Sequence, residues 1–466
     1  LTLTLTMRGA LSLALTLTLT LIPSPSLSLS GTGRKFPLLP FENGLFLGAV
    51  PAVATITVFE GQWPAGHLRR RFAEVVRANP WLAGRLRWSG VDKELWVPDE
   101  ITPNLWADLF VVNKELLADL DVCSPGGLEA ACDRLETRLP QPAWRAATTD
   151  APLCRLELLQ TSNPGTFCVL WAMNHVIGDG ATQYSLWHML SADAEPKPMR
   201  FDRGEFPEIQ EWSEKVTGEE QNQWLNRWGK AGAALNLQSN VLRRTVLRET
   251  VTERRMRFLK PAWLRQEKAA AQEAHAAAGG SVPFVSSNDV ITSRLVRSAD
   301  IDHLQMVINW RGRYDDLTED VAGNYAYAVM LQKEDGESPH GIRAALRRGD
   351  GRYVGENFEA PNFLYPVLEN RQGLVTNWSG FFGEGLGLPG ANLKLHLPLI
   401  QGRLPDLAHT AAMVIFAPRK GELGVITFTG PDVPETFPPE AVTELSFEPS
   451  TPEEPPQEEA VPGLSF

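Results

Sequence analysis

Residues 171–180, with the sequence Trp-Ala-Met-Asn-His-Val-Ile-Gly-Asp-Gly, constrain the fold of this chain more than any other stretch. The apolar run 167–171 before it predicts a buried strand, and residues 181–190 predict a helix. His175 therefore lies where a rigid element ends, and histidine exchanges protons near neutral pH, so a general base is one interpretation. The alternative is a histidine bonded to a backbone carbonyl, with Asp179 capping the helix.

Composition narrows the class of protein. The chain of 466 residues is long enough for about two or three domains. Its formal net charge is -12 and its longest basic run is 69–71, which disfavours nucleic-acid binding. The four cysteines have no Cys-x-x-Cys spacing, so we expect no metal site. Cys154 and Cys168 fall on two strands predicted to pair. A disulfide between them is one alternative, and two free buried thiols are the favoured one.

The two ends differ from the rest of the chain. Segment 1–31 alternates Leu and Thr, and is either a signal or transit peptide or a translated simple repeat. It is too short and too rich in threonine for a membrane span. Segment 448–466 is rich in Pro and Glu and predicts a disordered acidic tail. We expect a cytoplasmic protein, or a secretory or organellar one if 1–31 is a targeting peptide.

Periodicity and turn residues predict an alternation of helices and strands between these ends. Ser162-Asn-Pro-Gly165 joins two apolar runs and predicts a hairpin. The segment 191–205 predicts a linker, followed by one long helix. The predicted helices are 67–78, 181–190, 208–228, 262–278 and 289–299, and the predicted strands are 52–60, 86–88, 94–97, 153–159, 167–173, 303–310, 325–331, 374–378, 413–417 and 424–429.

Several motifs in order resemble those of the BAHD acyltransferases, which share the chloramphenicol acetyltransferase superfamily with the condensation domains of peptide synthetases. His175-Val-Ile-Gly-Asp179-Gly180 resembles the His-x-x-x-Asp-Gly signature. The more specific likeness is Pro80-Trp-Leu-Ala-Gly-Arg-Leu86, a helix-to-strand corner rather than a site. Further likenesses, from about 37 to 430, are Val307-Ile-Asn-Trp-Arg-Gly-Arg313, Ala322-Gly-Asn324, Thr376-Asn-Trp378 and Phe381-Phe-Gly-Glu-Gly385.

The sequence departs from the family pattern at two places. Asn174 stands where many members have the first histidine of a pair, and Phe381 replaces the aspartate of the Asp-Phe-Gly-x-Gly loop. That aspartate is structural in the family, so its replacement bears on the loop geometry rather than on the chemistry.

The resemblance implies an α/β fold of two chloramphenicol-acetyltransferase-like subdomains. Each would have a mixed sheet with flanking helices, and a tunnel at their interface would hold the active site. The implied N-terminal subdomain is 32–205, the crossover helix and linker 206–240, and the C-terminal subdomain 241–447.

The resemblance also implies the activity: transfer of an acyl group from a CoA thioester to a hydroxyl or amine of a small molecule. His175 would be the general base, with no covalent acyl-enzyme. Thr376 is the candidate oxyanion donor, and Trp378 would shape the pocket. Asp179 would pair with Arg311, or with Arg313, to hold the loop, and Gly180 would be structural. No bound cofactor is expected: acyl-CoA is a co-substrate, its binding residues are unassigned, and the enzyme is expected to be a monomer.

Two alternatives remain open at this point. A free-standing condensation-type enzyme would take its acyl group from a carrier-protein thioester. A catalytically silent binding protein of the same fold is suggested by Phe381. The stretch Pro80–Leu86 and the lack of a carrier or adenylation segment favour the BAHD interpretation. Neither the acyl group nor the acceptor follows from the sequence.

Overall fold

The computed structural model describes residues 32–44, 47–48, 52–203, 206, 209–227, 252–314, 316–346, 359, 371–400, 411–444 and 447. The predicted targeting segment 1–31 and the predicted tail 448–466 lie outside these residues, as do 228–240 of the predicted crossover region and 241–251 of the predicted C-terminal subdomain.

Strands and helices alternate along the described chain. The strands are β1 (Gly33–Pro37), β2 (Val53–Gly61), β3 (Arg85–Ser89), β4 (Asp92–Pro98), β5 (Phe110–Leu117), β6 (Cys154–Thr161), β7 (Thr166–Met173), β8 (Glu253–Leu259), β9 (His303–Asn309), β10 (Ala326–Gln332), β11 (Gln372–Asn377), β12 (Ala391–Pro398), β13 (Ala411–Phe416), β14 (Leu423–Thr429) and β15 (Val442–Thr443). The helices are α1 (Pro40–Asn43), α2 (Ala65–Ala78), α3 (Pro103–Leu109), α4 (Pro125–Glu136), α5 (Ala143–Thr149), α6 (Gly180–His188), α7 (Ile209–Thr217), α8 (Glu219–Arg227), α9 (Pro261–Ala277), α10 (Ser287–Ser298), α11 (Lys333–Gly336) and α12 (Pro339–Leu346).

The strand β7 leads into the His-x-x-x-Asp-Gly stretch and lies inside a sheet. Within the described ranges this sheet has five strands in the order β12-β2-β7-β6-β5. The predicted hairpin is confirmed, because β6 and β7 pair antiparallel. Every residue of β7 is buried, as its uninterrupted apolar sequence predicts. The strand is therefore a rigid support for the histidine turn that follows it.

The strand β12 belongs to this sheet although it comes late in the chain. It pairs antiparallel with β2, and His396 lies opposite Thr57. The sequence assigns 241–447 to the C-terminal subdomain and predicts no strand here, yet this part of the chain completes the N-terminal sheet. Without it β2 would present an unpaired edge.

The described C-terminal half forms a sheet of seven strands in the order β10-β9-β11-β13-β14-β8-β15. It is mixed, since β11 runs parallel to both β9 and β13 while the other pairs are antiparallel. A smaller described sheet has the order β1-β4-β3. The corner at Pro80–Leu86 is a short 3-10 turn, Pro80–Ala83, that leads into β3, as predicted.

The described apolar side chains form three clusters. One packs mainly in the N-terminal half and a second in the C-terminal half. The third, here the interface cluster, joins the five-stranded sheet to the seven-stranded one. Its buried members from the two sheets include Ile56 and Val58 of β2, Leu395 and Leu397 of β12, Val414 and Phe416 of β13, and Ile426 and Phe428 of β14.

One predicted helix is wrong in its extent. The segment 208–228 is not a single helix but α7 and α8, separated at Gly218. Gly218 has a φ of 87°, a left-handed conformation that glycine adopts without strain and that interrupts an α-helix. The apolar stripe of the segment continues across the break, which is why its periodicity predicts one helix.

The cysteines answer a further expectation. All four cysteines lie among the described residues and all are free thiols. In the β6–β7 register Cys154 lies opposite Met173, whereas Cys168 lies opposite Leu159, so the two thiols are not neighbours. None of the described helices is long and apolar enough to cross a membrane.

Candidate active site

His175 begins a short 3-10 turn, His175–Ile177, immediately after β7. Asn174 caps this turn, because its Oδ1 accepts a hydrogen bond from the Val176 amide at 3.0 Å. Its Nδ2 donates to the Gln141 carbonyl at 2.7 Å. The asparagine that departs from the histidine pair of the family is thus fully buried and fixes the start of the turn.

The imidazole of His175 is half-buried and contacts Asn324, which lies just before β10. The Nδ1 of His175 is 3.0 Å from the Oδ1 of Asn324. The Nδ2 of Asn324 donates to the His175 carbonyl at 2.8 Å and to the Oε1 of Glu42 at 2.9 Å. Both of those groups are acceptors, which identifies the nitrogen side of the amide.

The orientation of the Asn324 amide sets the tautomer of His175. Because Oδ1 can only accept, Nδ1 of His175 carries the proton, and Nε2 keeps its lone pair. Among the described residues none makes a hydrogen bond to Nε2. This nitrogen is therefore available to take a proton from another molecule.

Burial lowers the pKa of His175 below its ordinary value of 6.5. A hydrogen bond to its own backbone, the Asp179 carboxylate, the Asn324 side chain and the Glu42 carboxylate each act in the opposite direction and leave the net shift downward. The imidazole is therefore neutral at neutral pH, which is the form a general base requires.

Asp179 caps α6 and pairs with Arg311, which follows β9. Its Oδ2 accepts from Nη1 of Arg311 at 2.8 Å and from the Tyr325 amide at 2.9 Å. Its Oδ1 accepts from the backbone and the hydroxyl of Thr182, each at 3.0 Å. Burial alone would raise the pKa of the Asp179 carboxyl, but the Arg311 charge and these hydrogen bonds hold it below its ordinary value.

The guanidinium of Arg311 is fully occupied by this site. It also donates to the Val321 carbonyl, the Gly323 carbonyl and the Thr182 hydroxyl. Arg313, the other candidate partner, donates instead to the Asn309 carbonyl at 3.2 Å. The Asp179 and Arg311 side chains are 5% and 1% exposed, so the pair is a buried clamp and not a surface ion pair.

Two glycines flank Asp179 and differ in the room around them. A Cβ on Gly180 would stand 3.5 Å from Phe381 and from Nε1 of Trp378, an ordinary contact distance. A Cβ on Gly178 would stand 2.8 Å from both Met173 and Thr182. The close approach at this turn is therefore at Gly178, which the sequence analysis did not single out.

Thr376 and Trp378 lie at the end of β11, in the seven-stranded sheet. Leu374 and Trp378 pack against the interface cluster. Side chains alternate along a strand, so Thr376 shares the face of Leu374 and points toward the five-stranded sheet. Thr376 is half-buried, and its hydroxyl makes no hydrogen bond to any described residue. Trp378 lies beside Gly180, since a Cβ on that glycine would be 3.5 Å from Nε1 of Trp378. No hydrogen bond joins Thr376 to His175.

The loop that carries Phe381 has its own anchor. The carbonyl of Phe381 is 2.8 Å from Nε2 of His188, at the end of α6. The Phe381 ring lies 5.8 Å from that of Tyr184, also on α6. The helix that follows Asp179 therefore holds the loop in which the family aspartate is missing.

Sequence reasoning missed the roles of Asn324, of Glu42, and of Arg203, whose guanidinium pairs with the Glu42 carboxylate. The sequence points to Asn324 only as the last residue of the Ala322-Gly-Asn324 likeness. It assigns no role to Glu42 or to Arg203. The sequence signal for Glu42 is its position as a lone acidic residue in the apolar stretch 36–47. The neighbouring sequence does not predict which residue it pairs with. Among the described residues no cluster of His, Cys, Asp or Glu could hold a metal ion.

Comparison with solved structures shows the fold: the chain shares its two-subdomain α/β architecture with TRI101 and with condensation domains. The chain is similar to TRI101 of F. graminearum complexed with coenzyme A and deoxynivalenol, at 14% identity and a TM-score of 0.55, over 85% of this chain and 95% of that one.

Condensation domains are similar as well. The first condensation domain of the calcium-dependent antibiotic synthetase has 12% identity and a TM-score of 0.55, over 86% of this chain and 92% of that one. The condensation domain of the Monacolin K polyketide synthase MokA has 11% identity and a TM-score of 0.51, over 89% and 94%. No protein-family model matches the chain, and no curated protein matches it. At these identities the likeness shows the fold alone.

Proposed function

We propose that the protein is a BAHD-type acyltransferase that moves an acyl group from a CoA thioester to a hydroxyl or amine of a small molecule. The observation that carries the proposal is the contact of His175: its Nδ1 lies 3.0 Å from Oδ1 of Asn324. With burial lowering the pKa of the imidazole, this contact favours a neutral ring whose lone pair is on Nε2. The fold shared with TRI101, whose structure contains coenzyme A and deoxynivalenol, supports the choice of donor.

The proposed reaction needs only this histidine and an oxyanion donor. Nε2 of His175 takes the proton of the acceptor as its oxygen or nitrogen attacks the thioester carbonyl. The carbonyl oxygen becomes an oxyanion, which the Thr376 hydroxyl stabilises by donating a hydrogen bond. The intermediate expels the CoA thiolate, and the imidazolium returns the proton to that sulfur. A tunnel between the subdomains, shaped by Trp378, would admit the two substrates.

Direct transfer, without an acyl-enzyme, agrees with the state of the cysteines. Burial raises the pKa of Cys154 to about 12, and its Sγ donates to the Leu82 carbonyl at 3.2 Å. Burial likewise raises the pKa of Cys132 to about 12 and of Cys168 further. A thiol needs its thiolate form to act as a nucleophile, so these side chains are unsuited to carry the acyl group.

Transfer from a carrier-protein thioester is the second candidate function. The similarity to two condensation domains, at TM-scores comparable with that of TRI101, favours it. The chemistry at His175 would be the same, and only the group that carries the thioester would differ. A silent binding protein is less well supported, because the Phe381 loop is anchored by His188 and His175 keeps a base-competent tautomer.

A donor comparison tests the proposal. The purified protein would receive the same acyl group on CoA and on a phosphopantetheine-loaded carrier protein, with an acceptor panel that includes deoxynivalenol. Thiol release and acylated product would be measured together, with intact-protein mass spectrometry during turnover. We expect product and free CoA in equal amounts and no acyl mass on the protein. Turnover with the carrier alone would support the condensation-type function, and a stable acyl-protein would contradict direct transfer.

A further inference from the structure

A buried ion pair lies directly behind Asn324. The side chains of Glu42, in α1, and Arg203 are 0% and 1% exposed. Nη2 of Arg203 is 3.1 Å from Oε1 of Glu42, and Nε is 3.2 Å from Oε2, a bidentate arrangement. Such a pair contributes little more stability than an apolar pair of similar size. Its role is therefore sought in the side chains and backbone groups that it orients.

The carboxylate of Glu42 is surrounded by donors. Within the described ranges it accepts five hydrogen bonds: two from Arg203, one from the Leu39 amide, and two from Asn324. The backbone N and the Nδ2 of Asn324 lie 3.2 and 2.9 Å from Oε1. A carboxylate held in this way only accepts, so Nδ2 of Asn324 must face it and Oδ1 must face the imidazole.

Arg203 holds the same assembly from the other side. Its Nη2 donates to the Ile177 carbonyl at 3.0 Å, within the turn that His175 begins, and its Nη1 donates to the Ala322 carbonyl at 2.9 Å. Its guanidinium carbon lies 3.7 Å from the centroid of the Phe201 ring. The ion pair thus connects α1, the histidine turn and the Ala322–Asn324 segment.

We infer that Glu42 is a positioning residue for His175. It is the charged acceptor for both nitrogens of Asn324 and, together with the His175 carbonyl, fixes the orientation of the amide. It thereby keeps the imidazole proton on Nδ1 and the lone pair on Nε2. The inference rests on the proposed function for its catalytic consequence, but the tautomer itself is a property of the folded protein without substrate.

The change Glu42→Gln tests this role. A glutamine amide is neutral and can donate as well as accept, so only the backbone carbonyls of His175 and Val176 still require Nδ2 of Asn324 on that side. The Asn324 amide can then rotate and present Nδ2 to the imidazole, which moves the imidazole proton to Nε2. That tautomer cannot accept the acceptor's proton. We expect kcat to fall by up to about 10⁴-fold, the effect of a fully wrong tautomer of a catalytic histidine, with the KM for acyl-CoA little changed.

The chain offers a matched control in Glu157. It is also 0% exposed, and it accepts from the Nδ2 of Asn113 at 3.0 Å and from Nε of Arg138 at 3.1 Å. It therefore repeats the asparagine and arginine contacts of Glu42 without a link to His175. Glu157→Gln should lower the melting temperature as Glu42→Gln does, but should leave kcat and the tautomer unchanged. Glu42→Asp keeps an acceptor-only side chain and should retain the tautomer.

Nitrogen NMR of protein labelled with 15N only at histidine reads the tautomer directly, with His175→Ala identifying the His175 signals. Unchanged His175 signals together with unchanged kcat in Glu42→Gln would overturn the inference. If the single variant unfolds, Glu42→Gln/Arg203→Met removes the unpaired guanidinium and gives the same readout. A tautomer changed by Glu42→Gln, in a protein that transfers no acyl group, would support the positioning role and contradict the proposed function. Turnover that is lost in His175→Ala but unaffected by Glu42→Gln would support the proposed function and contradict the positioning role.

Discussion

His175 combines a lowered pKa with a defined tautomer, and the two features come from different neighbours. Burial disfavours the charged imidazolium, while the carboxylates of Asp179 and Glu42 limit how far the pKa falls. The Asn324 amide decides which nitrogen carries the proton. A side chain prepared in both respects is ready to accept a proton at neutral pH without first losing one of its own.

The lowered pKa predicts the pH dependence of turnover. Because only the neutral imidazole can accept a proton, kcat/KM should rise with pH as His175 deprotonates and should be level at neutral pH. The midpoint of the rise should lie below 6.5, the ordinary value for histidine. The measurement is kcat/KM for the acceptor at saturating acyl-CoA, from about pH 4 to about pH 9. A midpoint above 6.5 would contradict the desolvated site.

The two glycines beside Asp179 should respond differently to an added methyl group. Gly178→Ala places a Cβ 2.8 Å from Thr182, whose hydroxyl and amide are bonded to Asp179, so the turn must shift. Gly180→Ala meets Trp378 and Phe381 at 3.5 Å and needs no shift. We expect Gly178→Ala to lower both melting temperature and turnover, and Gly180→Ala to change neither by much. Equal effects, measured by thermal unfolding and thiol release, would show that the turn is adaptable.

Sequence predicts part of this site and not the rest. The end of β7 and the start of α6 are local features, so they place His175 and Asp179 correctly at a strand end and a helix cap. Arg311 was named from the family likeness, and the structure brings it to Asp179. Asn324 reaches His175, and Glu42 reaches Asn324, only through tertiary packing. Glu42 and Asn324 are 282 positions apart in the sequence. No periodicity or turn signal carries that distance.

At the scale of elements, β12 shows what local patterning leaves out. Its side chains enter the N-terminal sheet, and His396 is fully buried there, with Nδ1 2.9 Å from Oγ1 of Thr57 and Nε2 2.9 Å from the Tyr184 hydroxyl. The strand links the sheet to α6 and hence to the histidine turn. The pairing partner of a strand so distant in sequence is determined by which sheet edge is free, and that edge exists only in the assembled sheet.

His396 should make this element sensitive to acid. Burial lowers its pKa to about 3 in the folded chain, whereas the unfolded chain takes up the proton near 6.5. Its contribution to the free energy of unfolding is therefore complete above pH 6.5 and decreases as the pH falls toward 3. His396→Asn should lessen the loss of stability between pH 6.5 and about pH 5, by at most about 1.4 kcal/mol per pH unit. Parallel urea-unfolding profiles for the two proteins would contradict this account.

At the scale of the whole molecule, two devices hold the halves together: the interface cluster and the Asp179–Arg311 clamp. The order of the family motifs along the chain predicts the two-subdomain architecture, because each motif marks a known place in that fold. It does not predict that β12 crosses between the halves, nor that Gly218 divides the predicted crossover helix.

The clamp should contribute strongly to stability. Asp179→Asn or Arg311→Ala leaves a buried charge without its partner, which costs about 3–5 kcal/mol. Each should lower melting temperature and turnover together, and the double variant should lose less than the sum. Glu384→Gln is the contrast, since the Glu384–Lys420 pair is 81% and 69% exposed and should leave the melting temperature nearly unchanged. A stable but inactive Asp179→Asn variant would instead make the carboxylate a direct participant.

Turnover of His175→Ala tests the central claim most directly. The imidazole sits at the end of a rigid strand and makes its side-chain hydrogen bond to Asn324, so its removal should leave the melting temperature nearly unchanged. We expect turnover of acyl-CoA with a competent acceptor to fall roughly 10²–10⁴-fold, the usual effect of losing a general base, while acyl-CoA binding changes little. A folded His175→Ala variant that retains near-normal turnover would contradict the account.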